Sequence, residues 1–98
     1  MAYKLNWSPA ARDDLHDIVI FIARHNSEHA MLFAYEMISA TGHLQLFPEH
    51  GRMVPEYRNP DLRELIFRPY RIVYRVNHNR KLCEIVRVWH SARGIPAL

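Results

Sequence analysis

The sequence predicts an α+β fold, in which an antiparallel helical hairpin packs on a mostly antiparallel four-stranded sheet in the order β-α-α-β-β-β. Two observations carry this prediction. In the N-terminal half, two segments with apolar stripes at helical spacing are joined by very few residues, so the two helices must lie antiparallel. In the segment 63–93, two short runs alternate apolar and basic residues, which is the pattern of half-buried strands.

The chain is expected to open with a strand and a helix. Residues 3–7 alternate apolar and polar side chains, which predicts the first strand. Ser8 and Pro9 then mark a helix start, because Ser is a favoured N-cap and Pro is favoured at the first helical position. Ile20 falls on the outer face of this helix. The buried stripe is expected to contain Ala11, Leu15, Ile18, Val19 and Ile22.

A second helix follows, with Ser27 as its predicted N-cap. Leu32 points away from its apolar stripe. The helix is expected to fade near Phe47, because Pro48 disfavours helical geometry in the residue before it. The segment 48–61 is predicted to be an irregular loop. The buried stripe of the second helix is expected to contain Ala30, Phe33, Ala34, Met37, Ile38, Thr41 and Leu44.

Three strands are predicted after the loop. The last, residues 82–89, is apolar on both faces and therefore fits a central position. One face of the sheet should pack on the helices, and the other should present arginines at positions 63, 68, 71 and 75. The predicted core consists of Trp7, Leu15, Ile18, Ile22, Phe33, Met37, Ile72, Tyr74 and Val76.

Length and composition narrow the protein class. A chain of 98 residues, 49% of them apolar, is expected to fold as one domain, 1–98. The single Cys83 excludes an internal disulfide and suits a reducing compartment. No signal peptide or membrane-length apolar run is visible, so we expect a cytoplasmic protein without a membrane partner. The histidines have no cysteine or carboxylate clusters beside them, so we expect no metal and no cofactor.

Charge is distributed unevenly along the chain. Residues 1–50 hold three basic and six acidic side chains, whereas residues 51–98 hold ten basic and four acidic ones. Nine of those ten basic residues are arginine, whose planar fork suits phosphate and carboxylate groups. A basic sheet face favours either a polyanion or an acidic protein as its partner, although a solvated strand face also carries long charged side chains.

Five motifs together resemble the RelE/ParE toxin superfamily. They are W-S-P-x-A-x-x-D-L-x-x-I at 7–18, F-P-x-x-G-R-x-V-P-E at 47–56, R-E-L at 63–65, Y-R-I-V-Y-R-V at 70–76 and R-V-W-H-S-A-R at 87–93. The resemblance covers nearly the whole chain in the right order. It implies the toxin of a type II toxin–antitoxin pair, held inactive by a cognate antitoxin protein. It also implies the β-α-α-β-β-β fold that the residue pattern predicts separately.

The resemblance leaves two target classes open. RelE-like members cleave mRNA on the ribosome, which needs a proton acceptor, a proton donor and cations for the phosphorane charge. The candidate catalytic residues in that case are Arg63, Arg71, Arg87 and His90. ParE-like members inhibit DNA gyrase and are not nucleases. The candidate target-binding residues are Arg63, Arg71, Arg87, Trp89, His90 and Arg93, and the candidate antitoxin-binding residues are Ile20, Leu32, Arg71 and Arg75.

The C-terminal motif favours the ParE-like branch. The ending Trp-His-Ser-Ala-Arg at 89–93 is more similar to that branch than to the aromatic or lysine-rich endings of RelE-like nucleases. A histidine near the C-terminus keeps the nuclease open as an alternative. A third possibility is a non-toxic homologue that only binds an antitoxin. Growth arrest on induced expression separates this third class from both toxins.

Overall fold

The computed structural model describes residues 2–98 and confirms the predicted α+β architecture. Two helices pack on one mixed sheet. The elements are β1 (Lys4–Trp7), α1 (Pro9–Ala23), α2 (Ser27–Gly42), β2 (Arg52–Met53), β3 (Leu62–Phe67), β4 (Tyr70–Asn77) and β5 (Leu82–His90). Short 3₁₀ helices, His43–Gln45 and Ser91–Arg93, follow α2 and β5.

The sheet has five strands in the order β1-β5-β4-β3-β2, so the predicted count of four is wrong. The additional strand β2 lies inside the segment predicted to be irregular, where two residues pair with Arg63 and Glu64 of β3. β1 is parallel to β5, and the other pairs are antiparallel. The central position predicted for β5 is confirmed.

The helix ends follow local capping rules, with two corrections. The Ser8 side chain accepts a hydrogen bond from the backbone N–H of Ala11, which confirms the predicted N-cap of α1. In α2 the cap is Asn26, which accepts from the N–H of His29, and not Ser27. The α-helix ends at Gly42, earlier than the predicted end near Phe47. None of the helices within residues 2–98 is long and apolar enough to cross a membrane.

The main core lies between the helical hairpin and one face of the sheet. Met37, Ile72, Tyr74 and Val76 are buried there as predicted. Ile38 was predicted to be buried but is 49% exposed, because the apolar stripe of α2 is wider than the surface that covers it. Ile22 is partly buried. The remaining predicted core residues are partly buried and pack around this centre: Trp7, Leu15, Ile18 and Phe33.

The opposite face of the sheet was predicted to present a row of exposed arginines. Instead, part of the segment 48–61 packs against it. A smaller apolar cluster of Val54, Leu62 and Val73 packs there. The segment 48–61 is also anchored through the hydroxyl of Tyr74, which donates to the carbonyl of Pro48 at 2.7 Å and accepts from the N–H of Gly51 at 2.9 Å. A Cβ at position 51 would meet a backbone oxygen of β3 at 2.5 Å, so only glycine permits this approach.

Candidate target-binding surface

Arg71 lies at the centre of an ion-pair network on the second face of the sheet. Its guanidinium donates to Oε1 of Glu64 at 2.6 Å and to both carboxylate oxygens of Glu56 at 2.7 and 3.0 Å. Arg52 completes the network by donating to Oε2 of Glu64 at 2.7 Å. The Arg71 side chain is 9% exposed and that of Glu64 is 0% exposed, so the prediction of a solvent-facing guanidinium is wrong at this position.

The electrostatics of this network favour its charged form. Hydrogen bonds that Arg71 donates to Glu56 hold the pKa of Arg71 above its ordinary value, against the smaller, lowering effect of burial. The same contact lowers the pKa of the Glu56 carboxyl. Arg71 therefore stays protonated and is compensated by two carboxylates, which leaves little positive charge for an external anion.

Arg87 is compensated in the same way by the first helix. Its Nε and Nη2 donate to the two carboxylate oxygens of Asp14 at 2.8 and 2.9 Å. Asp14 also accepts from the backbone N–H of Val88 at 2.9 Å, so it fixes the strand as well as the side chain. Hydrogen bonding to Asp14 holds the pKa of Arg87 above its ordinary value. The arrangement ties α1 to the part of β5 that extends beyond its pairing with β1.

Trp89 makes cation–π contacts with two arginines at the end of the sheet. The guanidinium carbon of Arg93 lies 4.0 Å from the indole ring centroid, and that of Arg87 lies 4.9 Å from it. The indole is 5% exposed, and its Nε1 is buried without a hydrogen-bond partner. Arg93 is exposed, which makes it the outermost cation of this cluster.

His90 points to the other face of the sheet from Trp89, as alternation along a strand requires. Its Nδ1 accepts from the backbone N–H of Ala92 at 3.0 Å, and its ring meets the edge of Tyr70 at 5.3 Å between centroids. Burial raises the pKa of the Tyr70 phenol. His90 lines an open cleft of about 240 Å³ with Asp14, Asp17, Ile18, Phe21, Tyr70, Val88 and Arg93.

The remaining predicted site residues lie apart from this cluster. Arg63 holds the segment 48–61, which we call the covering loop, since its Nε and Nη1 donate to the carbonyls of Pro60 and Gly51, each at 3.0 Å. Arg75 is exposed on the outer part of β4. Ile20 and Leu32 are 45% and 54% exposed on the outer faces of the helices, as their phase predicted. The sequence therefore placed these two apolar residues correctly.

The fold thus brings Arg71, Arg87, Trp89 and Arg93 onto one surface, which we call the arginine–tryptophan surface. Three acidic residues, Asp14, Glu56 and Glu64, complete it and were not among the sequence-based site candidates. Within residues 2–98, no group of three or more His, Cys, Asp or Glu side chains is arranged to hold a metal ion.

Comparison with protein families identifies the group to which the chain belongs. The family model for the ParE toxin of the type II toxin–antitoxin system parDE matches residues 5–95. The chain belongs to the ParE toxin family. This match confirms the resemblance inferred from the motifs.

Solved structures share the fold at low sequence identity. The chromosomal ParDE system from P. aeruginosa matches with a TM-score of 0.73 and 23% identity, covering 91% of this chain and 96% of that chain. The RelBE2 complex from Mycobacterium tuberculosis matches with a TM-score of 0.59 and 24% identity over 92% and 99% of the chains. A free mutant of E. coli RelE matches with a TM-score of 0.68 and 16% identity over 96% and 88%. Comparison with curated proteins gives no match.

Proposed function

We propose that this ParE-family chain is the toxin of a type II toxin–antitoxin pair and acts by inhibiting DNA gyrase. The main support is the state of the candidate catalytic arginines. Arg71 has two carboxylate partners, and Arg87 has one. Cations that stabilise a phosphorane must keep their charge available for it. Cations neutralised inside the fold suit a surface that recognises a protein.

A supercoiling assay with purified DNA gyrase tests this proposal. We expect the chain to inhibit supercoiling in a dose-dependent way and to leave mRNA on ribosomes intact. The control is the chain preincubated with its antitoxin, which should restore supercoiling. Full gyrase activity at a large molar excess of folded chain would contradict the proposal.

One observation favours the alternative, a RelE-like ribosome-dependent mRNA endonuclease. The imidazole of His90 lies in an open cleft with the exposed cation Arg93 and the phenol of Tyr70. These groups are the types that general acid–base chemistry on a ribose hydroxyl uses. Cleavage of mRNA on ribosomes, with gyrase unaffected, would support this reading. Absence of growth arrest on induced expression would instead favour a non-toxic homologue.

We further propose that the antitoxin neutralises the chain by covering the helical hairpin. Two of the solved complexes with this fold hold an antitoxin next to the toxin. The hairpin offers an apolar groove of about 480 Å³ between α1, α2 and β1. The groove is lined by Leu5, Asn6, Trp7, Arg12, Leu15, His16, Val19, Ala34 and Ile38. Ile20 and Leu32 do not line this groove but add exposed apolar side chains on the two helices, and Arg75 offers a charge to an acidic side chain.

Combined substitution of the exposed residues tests the antitoxin surface. We expect Ile20→Glu with Leu32→Glu to weaken the purified complex by at least tenfold, because two carboxylates would be desolvated against an apolar partner. The matched control is Glu28→Gln with Glu36→Gln, which changes exposed α2 residues without burying charge. An unchanged dissociation constant in the Ile20 and Leu32 variant would place the antitoxin elsewhere.

A further inference from the structure

The C-terminal segment Gly94–Leu98, which we call the tail, lies against the arginine–tryptophan surface. Its backbone carbonyls accept hydrogen bonds from side chains of the sheet and the covering loop. Arg87 Nη1 donates to the carbonyl of Ala97 at 2.9 Å, and the Tyr57 hydroxyl donates to the carbonyl of Pro96. Arg71 Nη1 approaches the carbonyl of Gly94 at 3.5 Å. Pro96 is buried in this contact.

The tail is held in the way that a bound peptide is held. In the part of the chain that the structure describes, its one backbone–backbone hydrogen bond runs from the N–H of Gly94 to the carbonyl of Ser91 at 3.4 Å. The other polar contacts come from side chains of the body. Gly94 has a φ of +80°, which L side chains rarely adopt, and this turn directs the tail back over the sheet. Ile95 and Leu98 stay 63% and 49% exposed.

The surface under and beside the tail carries a donor without an acceptor. Trp89 is 5% exposed, and its Nε1–H has no hydrogen-bond partner. It is stacked against Arg87, which holds the tail, and Arg93, which leads into it. A buried donor without an acceptor is destabilising, so the tail satisfies this surface incompletely. A longer acceptor-rich segment would satisfy it better.

The charges of the surface select the kind of acceptor. Arg71 and Arg87 are each neutralised by carboxylates of this chain, and each offers its remaining Nη1–H to a carbonyl of the tail. A phosphate placed at these nitrogens would also meet the carboxylates of Glu56 and Asp14. Like charge at that distance is unfavourable. Neutral backbone carbonyls, presented at intervals by an extended peptide, match the surface better.

We propose that the arginine–tryptophan surface is a peptide-binding groove, that the tail occupies it in the free chain, and that an extended segment of a protein partner displaces the tail. This inference rests on the proposed function only in taking the target to be a protein. The tail then competes with the target at the groove, and the strength of its side-chain contacts sets how readily the target gains access.

Hydrogen exchange of the two indole N–H groups tests the displacement. Tyr57→Phe removes one hydrogen bond to the tail and no apolar area. We expect exchange at Trp89 to accelerate roughly 2–10-fold, the usual worth of one hydrogen bond. Trp7, which packs against the core on the helix side of the sheet, provides an internal reference and should not change. The matched control is Tyr35→Phe, at a 64% exposed residue of α2.

A second variant changes the tail at Gly94, where the tail begins. Gly94→Ala places a side chain in open space but strains the turn, so it should accelerate exchange at Trp89 without changing Trp7. Unchanged Trp89 exchange in both variants would overturn the displacement, and so would equal acceleration at both tryptophans, which would report global opening.

A peptide titration tests the groove itself. The probe is the neutral peptide acetyl-Gly-Ile-Pro-Ala-Leu-amide, which copies the tail. Because the attached tail has an effective concentration on the order of millimolar, the peptide must be added at that level. We expect a saturable shift of the Trp89 indole resonance, at roughly 2–10-fold lower peptide concentration in Tyr57→Phe than in the parent chain.

A short single-stranded RNA serves as the competing probe. An RNA that shifts the Trp89 resonance at lower concentration than the peptide would overturn the assignment of a peptide groove, and so would a peptide that gives no saturable shift. Neither titration contains gyrase, so the outcome for the groove is separate from the outcome for the proposed function.

Discussion

The two faces of the sheet are stabilised by different forces. On the helix side, Ile72 and Tyr74 of β4 are fully buried in an apolar core. On the other side, the neighbouring Arg71 is nearly as buried but is held by two carboxylates. In an apolar core, truncation of a side chain lowers stability roughly in proportion to the buried apolar area that is lost. A buried ion pair depends on every partner, so the second face should respond more sharply to removal of one group.

The largest expected effect is at Glu64. Glu64→Ala leaves the buried guanidinium of Arg71 with one carboxylate fewer, and should lower the free energy of unfolding by about 3–5 kcal/mol. Chemical denaturation measures it. The control is Glu36→Ala at an exposed helix position, expected to change the value by less than about 0.5 kcal/mol. A loss at Glu64 no larger than at Glu36 would mean that the network adds nothing to stability.

The helix side should respond to truncation in proportion to the cavity formed. Ile72→Ala is expected to lower the free energy of unfolding by about 2–5 kcal/mol. Ile66→Ala, at a residue of β3 that is 48% exposed, is the matched control and should change it much less. Equal effects at both positions, measured in the same denaturation series, would contradict the placement of the core.

The two faces should also differ in their response to acid. Contact with Arg71 lowers the folded-state pKa of Glu56 below its ordinary value, so this contact stabilises the fold at pH values above that ordinary pKa. Stability should fall as pH drops through the folded pKa, where Glu56 takes up its proton. Glu56→Gln removes this component. If the denaturation midpoints of parent and Glu56→Gln follow parallel pH profiles below about pH 5, the contact has no linkage to folding.

The smallest expected effect on stability is at Arg93. Arg93→Glu removes one exposed cation–π contact, worth about 0.5–1 kcal/mol at most. The same change places negative charge at the outer end of the arginine–tryptophan surface. We therefore expect the thermal midpoint to change little while growth arrest on induced expression is lost. A stable variant that still arrests growth would remove Arg93 from the target-binding surface.

The sequence predicted the parts of the fold that local chemistry decides. The Ser8 cap and the two-residue alternation of β4 depend on neighbours in sequence, so α1 and the buried Ile72 were placed correctly. The strand β2 was missed because two residues carry no periodic signal; it depends on the close approach of Gly51 to Tyr74, 23 residues away.

The candidate site was predicted only in part, because its ion pairs also join residues that are far apart in the sequence. The alternation along β4 placed Arg71 on the face opposite the apolar core, but it does not show which residues cover that opposite face. The partners of Arg71 are seven and 15 residues away, and one of them lies in the irregular segment. Asp14 is 73 residues from Arg87. Such pairings depend on tertiary contacts, so the sequence yielded the cations without the carboxylates that neutralise them.

The most direct test of the central claim compares Arg93→Glu with His90→Gln in the same two assays, gyrase supercoiling and ribosome-dependent mRNA cleavage. If the arginine–tryptophan surface binds a protein target, Arg93→Glu should abolish inhibition of supercoiling, because like charge then meets the partner. His90→Gln should retain most of the inhibition, since a binding surface tolerates replacement of one imidazole by an amide of similar size. A chain that cleaves mRNA, with cleavage reduced about 10²–10⁴-fold by His90→Gln, would contradict the account.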